Sequence, residues 1–230
     1  MKLFCFPCAG GSATMYFKWK KYFPEIIEIL PVELTGRGSR ANEPYYDTFN
    51  ELIIDLTEFV KNKLLPGEKY ALLGFSMGGI VVYEVYKSLE RENASLPKDL
   101  FIIAKESPDT AVKKIYHLPD DLFLKEIISY DGIPEVVLNN DDLLRFYLPT
   151  LRADFKLIED YNFNANTENI KCDITVLWGE NDRSVVKNGI YNWEKYTSFS
   201  FYDYSFSGGH FFMNDHEEDV ANILINKLLS

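Results

Sequence analysis

Short apolar runs alternate with longer amphipathic segments along the chain, and this alternation restricts the fold more than any other feature of the sequence. It is typical of an α/β protein, in which helices cover both faces of a mostly parallel sheet. Strands are predicted at Lys2–Phe6, Ile27–Leu34, Tyr70–Phe75, Leu100–Ala104, Ile174–Trp178 and Ser200–Tyr204. A chain of 230 residues can bury one core of this kind, so we expect a single domain over residues 1–230.

The helices between these strands have recognisable beginnings and ends. The capping box formed by Thr48 and Glu51 opens an amphipathic segment that stops before Pro66. A second helix is predicted directly after Ser76, and a third over residues 220–228. The first of these is the best defined, because it has both a start signal and a stop signal.

The interval between the fourth and fifth predicted strands is much longer than the other connections. It contains helical patterns near Asp120–Tyr130 and Asp141–Tyr161 and no predicted strand. A long insertion rich in Leu, Phe and Tyr, with a hinge at residues 131–134, is typical of a lid over one end of the sheet. We therefore expect a lid insertion at about residues 109–165. The alternative is an ordinary crossover built from extra helices.

The chain is acidic, with 24 basic and 35 acidic side chains and a formal net charge of −11. This balance argues against non-specific binding to nucleic acid or anionic lipid, which needs clustered positive charge. Cys5, Cys8 and Cys172 have no zinc-ligand spacing, and the apolar run near the N-terminus is short and is interrupted by Pro7. We expect a cytoplasmic monomer with no membrane or nucleic-acid partner, no metal and no other cofactor.

A G-x-S-x-G motif centred on Ser76 lies between an apolar strand and a helix. This is the context of a nucleophile elbow, in which a serine occupies a strained turn and the two glycines let that turn pack closely. The hydroxyl would then lie at the carboxyl end of the sheet. There the N–H of Met77 faces the negative charge that forms on an attacked carbonyl. The motif alone is also compatible with a glycine-rich strand-to-helix turn whose serine has no catalytic role.

Two later turns supply a carboxylate and an imidazole in the order found in α/β-hydrolases. Asp182 follows the fifth predicted strand, and His210 follows the sixth after two glycines. Such a histidine takes the serine proton and returns it to the leaving group, while the carboxylate holds the imidazole tautomer. The three turns together predict an α/β-hydrolase fold with Ser76, Asp182 and His210 as catalytic residues. Glu180 and Asp109 are the alternative carboxylates.

A glycine-rich turn after the first strand is predicted to complete the site. In this architecture it supplies the second N–H of an oxyanion hole, which we assign to Ala9 beside that of Met77, with Gly10 as the alternative. The turn lacks the glycine and lysine spacing of nucleotide-binding loops. Phe75, Gly10 and Phe211 flank the catalytic turns, and we assign them to substrate binding.

Six segments spread over the whole chain carry a family resemblance. They are FPCAGGSA near the N-terminus, TGRGSR at 35–40, GFSMGG around Ser76, LPTLRADF at 148–155, GENDRSV after Trp178 and SGGHFF around His210. Together they resemble the stand-alone type II thioesterases that serve nonribosomal peptide and polyketide synthases. The resemblance implies Ser76 as nucleophile, His210 as base and Asp182 as acid.

The chain departs from this family in two places. Phe75 stands where the family usually has histidine, and KESPD at 105–109 replaces a small turn that usually contains glycine and arginine. Neither departure removes a catalytic group. The second is expected to alter the wall of the substrate pocket.

The resemblance implies hydrolysis of acyl groups, short or aberrant and sometimes medium-chain, from the phosphopantetheine arm of carrier domains through an acyl-serine intermediate. The alternatives are a carboxylesterase or lipase that acts on free esters, and a non-catalytic interaction protein. Carrier domains are usually acidic, as this chain is, so docking needs a local basic patch. We predict that Arg37, Arg40 and Lys18 form it. For Arg37, the alternative is a brace that bonds a carboxylate or carbonyls near its loop.

Overall fold

A six-stranded parallel sheet forms the centre of the computed structural model, which describes residues 1–129, 133, 137 and 140–230. In this part of the chain the strands are β1 (Lys2–Phe6), β2 (Glu28–Pro31), β3 (Tyr70–Phe75), β4 (Asp99–Ile103), β5 (Asp173–Gly179) and β6 (Phe201–Phe206). Their order is β2-β1-β3-β4-β5-β6, and every neighbouring pair is parallel. The predicted strands are confirmed, although β2 is shorter than predicted.

The described α-helices are α1 (Phe49–Lys63), α2 (Met77–Arg91), α3 (Asp120–Ser129), α4 (Asp141–Asp160), α5 (Lys187–Tyr191) and α6 (Glu217–Leu229). Helix α1 begins at the predicted capping box, where the Thr48 hydroxyl accepts the N–H of Glu51 at 3.2 Å. Short 3-10 helices cover Ala13–Lys21, Gly38–Arg40, Asn192–Tyr196 and Phe212–Asn214. None of the described helices is both long enough and apolar enough to span a bilayer.

The sheet is buried on both faces because alternate side chains of each central strand enter different apolar clusters. Phe4 and Phe6 of β1 pack on the face covered by α1 and α2. Leu3 and Cys5 face the other side, where α6 and the Ala13–Lys21 helix pack. Strands buried on both faces are typical of α/β folds, and the predicted fold class is confirmed.

The connection between β4 and β5 contains α3 and α4 and has a small apolar cluster of its own. Phe123 and Ile127 of α3 pack there against Leu151 of α4. Both helices lie close to their predicted positions. Apart from Ile133, the hinge predicted at residues 131–134 lies outside the described residues, so the lid stays a prediction.

Candidate active site

Ser76 occupies a strained turn between β3 and α2. Its backbone has φ 53° and ψ −114°, a conformation that residues other than glycine rarely adopt. The Ser76 N–H donates to the Ile103 carbonyl at 2.8 Å, and the Ser76 carbonyl accepts the N–H of Gly79 at 2.8 Å. These two bonds hold the turn against the carboxyl end of β4 and the first turn of α2.

The two glycines of the motif are required by close backbone contacts. A Cβ atom on Gly74 would lie 2.0 Å from the carbonyl oxygen of Gly78. A Cβ atom on Gly78 would lie 2.5 Å from the carbonyl oxygen of Phe6 at the end of β1. The motif therefore lets the elbow pack directly on the neighbouring strand, which is the close packing predicted from its sequence.

Asp182 and His210 meet at the carboxyl ends of β5 and β6. His210 Nδ1 donates to Asp182 Oδ2 at 2.7 Å. Asp182 Oδ1 accepts the N–H of Ser184 at 2.8 Å and its hydroxyl at 2.6 Å, and the same hydroxyl lies 2.9 Å from His210 Nδ1. Sequence reasoning missed Ser184, although a serine two residues after an aspartate in a loop is a signal for this kind of turn.

Asp182 is held as a carboxylate by these contacts. Burial raises the pKa of this carboxyl, but the hydrogen bonds from His210 and Ser184 outweigh burial and hold the pKa below its ordinary value. An ionised Asp182 accepts a hydrogen bond from Nδ1–H of His210 and so leaves Nε2 as the basic nitrogen.

The alternative carboxylates are engaged elsewhere. Asp109 is exposed and accepts the hydroxyl of Ser107 at 2.5 Å. Glu180 is exposed and accepts a hydroxyl from a serine of β6 at 3.0 Å. Neither carboxylate bonds the imidazole, whereas Asp182 does so directly. The geometry therefore favours Asp182 as the partner of His210.

The N–H groups of Met77 and Ala9 are available beside Ser76. Within the described part of the chain, neither has a hydrogen-bond acceptor. The N–H of Gly10 donates to Asp154 Oδ2 at 2.7 Å, so this alternative donor is already used. Ala9 and Met77 line the same cavity as Ser76, as an oxyanion hole requires.

A cavity of about 310 Å³ contains the Ser76 and His210 side chains in its wall. Residues of the β4–β5 connection supply an apolar part of that wall, namely Val112, Ile115, Ile127, Phe155 and Ile158. Phe211 also lines the cavity. Residues of the β4–β5 connection therefore border the cavity that contains Ser76 and His210.

Two of the residues assigned to substrate binding are positioned differently from that prediction. Phe75 is 0% exposed, and its ring packs behind His210 with 5.2 Å between ring centroids. Gly10 is buried beneath α4, where a Cβ atom would lie 2.4 Å from Tyr147 Oη. Both assignments are corrected: Phe75 supports the imidazole, and Gly10 permits close packing of α4.

Arg37 is buried and bonded within the protein. Its guanidinium forms two bonds of 2.6 Å with the carboxylate of Asp154 in α4 and a third, at 3.1 Å, with the Gly11 carbonyl. Because Asp154 also accepts the Gly10 N–H, one carboxylate joins α4, the oxyanion turn and the loop after β2. This corrects the assignment of Arg37 to partner docking and supports its alternative role as a brace.

The other two docking candidates differ from each other. Arg40 is partly exposed, but its guanidinium pairs with Glu43 at 2.5 Å and Asp55 at 2.7 Å, so its charge is balanced locally. Lys18 is exposed on the helix that follows the oxyanion turn. No ion pair involves Lys18 among the residues that the structure describes.

The order of elbow serine, aspartate and histidine on a parallel sheet defines an α/β-hydrolase. The family model described as "Thioesterase domain" matches residues 1–228, and the chain belongs to this family of hydrolases that act on thioesters. The family resemblance drawn from the sequence is therefore confirmed.

Individual relatives agree with this assignment. Over 99% of this chain and 89% of the relative, the chain is 31% identical to the gramicidin S biosynthesis protein GrsT of Aneurinibacillus migulanus. It is 32% identical to the thioesterase PikA5 of Streptomyces venezuelae over 100% of this chain and 81% of that protein. The crystal structure of ClbQ from the colibactin NRPS/PKS pathway superposes with a TM-score of 0.93 at 31% identity, covering 99% of this chain and 96% of that one.

Proposed function

We propose that this thioesterase releases acyl groups from the phosphopantetheine arm of carrier domains in nonribosomal peptide or polyketide synthesis, through an acyl-Ser76 intermediate. The observation that carries the mechanism is the 2.7 Å bond between His210 and Asp182 in a site that shares its cavity with Ser76. The carrier-domain substrate is supported by the pathway named for ClbQ and by the biosynthetic role named for GrsT.

In the first half of the reaction, Ser76 Oγ attacks the carbonyl carbon of the thioester while Nε2 of His210 takes the hydroxyl proton. The N–H groups of Met77 and Ala9 bind the oxyanion that forms. The carbon–sulfur bond then breaks, and the leaving sulfur receives the proton from His210. The products of this half are a free thiol and an ester of Ser76.

In the second half, water takes the place of the thiol. His210 removes a proton from the water, whose oxygen attacks the ester carbonyl, and the oxyanion forms at the same two N–H groups. The ester bond breaks, the proton returns to Ser76 Oγ, and the carboxylic acid leaves. Asp182 stays ionised throughout and stabilises the imidazolium in both halves.

The proposal is tested by comparing acetyl and octanoyl groups on a carrier domain, on free pantetheine and in simple p-nitrophenyl esters. We expect the highest kcat/KM on the carrier domain and no turnover by the Ser76→Ala variant. Equal kcat/KM on the carrier domain and pantetheine would refute carrier recognition, and a preference for the simple esters would favour a carboxylesterase. A wild-type protein with no turnover would be the interaction protein considered above.

Docking of the carrier domain is proposed to use Lys18. The Lys18→Glu variant should lower kcat/KM on the carrier domain by roughly tenfold and leave acyl-pantetheine hydrolysis unchanged. The control is Lys69→Glu, which makes the same charge change on an exposed lysine just before β3. Lys69 lies at the amino ends of the parallel strands, whereas the active site lies at their carboxyl ends. Equal effects of the two variants would place the docking surface elsewhere.

A further inference from the structure

Lys105 follows the carboxyl end of β4 and lines the active-site cavity. The chain leaves that strand at Ile103, whose carbonyl accepts the Ser76 N–H. Ala104 follows with φ 50°, in the left-handed region that is unfavourable for a side chain. This turn puts Lys105 next to the elbow, and Lys105 lines the cavity together with Ser76 and His210.

The aliphatic part of Lys105 is packed against the first turn of α2. A Cβ atom on Gly79 would lie 2.9 Å from Lys105 Cβ and 3.2 Å from Lys105 Cγ. Gly79 is three residues after Ser76, so the two lie on the same side of that helical turn. The lysine side chain therefore starts about one turn of helix from the nucleophile.

The backbone around Lys105 is fixed from both sides. The Lys105 carbonyl accepts Nε1 of the buried Trp193 at 2.8 Å. The carboxylate of Glu106 accepts the N–H of Val186 at 2.7 Å, and the Ser107 N–H donates to the Gly189 carbonyl at 3.0 Å. Lys105 therefore lies on a segment of the cavity wall whose backbone is fixed by these hydrogen bonds.

Within the described ranges, no hydrogen bond or ion pair involves the ammonium Nζ of Lys105. Burial lowers the pKa of Lys105, and the negative charges of the Glu106 and Asp182 carboxylates partly oppose that effect. By comparison, the buried ammonium of Lys87 bonds Glu90 at 2.7 Å and the Glu168 carbonyl at 2.6 Å. A cation in the position of Lys105 is best completed by an anion that enters the cavity.

The charges around the cavity point the same way. Besides Lys105, the wall contains the basic side chains Lys113 and Arg183, against one acidic side chain, Glu106. Lys113 pairs with Glu126 at 2.6 Å. With Lys113 paired and Asp182 ionised behind His210, Lys105 and Arg183 remain as positive charges in the cavity wall, and these favour anionic groups over cationic ones.

We propose that Lys105 is a specificity-determining residue whose ammonium binds a carboxylate on the acyl chain, so that the enzyme prefers carboxyacyl thioesters to alkyl thioesters of the same length. The inference rests on the thioesterase function proposed above. An alkyl chain beside Lys105 strips water from the ammonium without replacing its hydrogen bonds, whereas a carboxylate supplies them. The apolar walls contributed by Ile115 and Phe155 still accommodate the methylene groups between thioester and carboxylate.

The test uses pairs of acyl-pantetheines with equal carbon numbers: malonyl against propionyl, and glutaryl against pentanoyl. Free pantetheine removes carrier docking from the comparison, and the Ser76→Ala protein measures spontaneous hydrolysis. Wild-type enzyme should hydrolyse at least one carboxyacyl group with a kcat/KM about 10–100-fold above that of its alkyl partner. Absence of this preference in both pairs overturns the proposal, whatever the variants do.

The variants assign the preference to the side chain. Lys105→Met keeps an unbranched apolar stem and should lower kcat/KM for the preferred carboxyacyl group by about 10–100-fold, without lowering that for alkyl groups. Lys105→Arg should keep the preference, and the exposed Lys114→Met is the matched control. Equal losses on both substrate classes would show a structural role and refute the proposal. If wild type hydrolyses neither class, the role of Lys105 is refuted, and the proposed function fails as well only if the same acyl groups on a carrier domain are not hydrolysed. Hydrolysis without preference refutes only the role of Lys105.

Discussion

The bond between Arg37 and Asp154 offers the sharpest test of how the active site is held together. Replacement of Asp154 by asparagine keeps the shape of the side chain but removes its charge. The Arg37 guanidinium, with 7% of its side chain exposed, then loses the anion that accepts two bonds of 2.6 Å. The Gly10 N–H also loses a charged acceptor.

The expected loss of stability follows from the burial of the pair. Removing one partner of a buried ion pair costs about 3–5 kcal/mol, because the remaining charge is left without compensation. Since the asparagine oxygen can still accept one hydrogen bond, we expect about 3 kcal/mol for Asp154→Asn. Catalysis should fall as well, because Gly10 is the neighbour of Ala9, the proposed oxyanion donor.

A surface pair in the same region provides the control. Arg152 of α4 pairs with Asp120 of α3 at 2.5 Å, but the Asp120 side chain is 66% exposed. Exposed pairs contribute about 0–1 kcal/mol, so Asp120→Asn should change stability little. Urea unfolding of both variants measures the two free-energy changes directly.

A double variant separates charge burial from packing. Combining Arg37→Met with Asp154→Leu removes both charges and should regain part of the stability lost in Asp154→Asn. Turnover of the double variant reports whether the brace positions the oxyanion turn. Equal losses for Asp154→Asn and Asp120→Asn would refute the conclusion that this carboxylate holds the site together.

Three further outcomes are expected. Asp182→Asn should lower kcat by about 10³–10⁴-fold while Asp109→Asn has little effect, and the reverse order in a steady-state assay would overturn the choice of carboxylate. Burial raises the pKa of Asp99 to about 6, so its ionisation opposes folding and stability should fall as the pH rises from about 4 to 6. The unfolding free energy of wild type relative to Asp99→Asn should therefore drop by about 2–3 kcal/mol between pH 4 and pH 7, and a constant difference would contradict this. Gly10→Ala should cost at least about 1–2 kcal/mol, because Gly10 has φ 71° and a Cβ there would meet the Tyr147 hydroxyl. Thermal unfolding measures that loss, and Tyr147→Phe should recover part of it if the contact contributes.

The fold and the catalytic turns were predictable because their determinants are local. The apolar runs that became β1 and β3, the capping box at Thr48 and the glycines around Ser76 all act within a few residues of chain. Parallel strands present their carboxyl ends at one edge of the sheet, so turns after successive strands must meet there. This is why Asp182 and His210 could be placed near Ser76 from their order alone.

The partners of buried polar groups were not predictable in the same way. Arg37 and Asp154 are 117 positions apart, and Gly10 and Asp154 are 144 apart, so nothing local to any of them indicates the contact. Phe75 illustrates the same limit. Its place beside Ser76 suggested contact with substrate, but a strand directs successive side chains to opposite faces, and Phe75 enters the core behind His210.

Lys105 illustrates the difference between what can be read from the sequence and what depends on the tertiary structure. Comparison of the sequence with the family that it resembles marks 105–109 as an unusual turn after β4, because the residue types there are visible without a structure. Only the tertiary structure shows that its side chain packs on Gly79, and that Lys105 lines the cavity of Ser76 without an ion-pair partner in the described residues. Backbone conformation depends on neighbours along the chain, whereas the environment of a charge depends on every element folded around it.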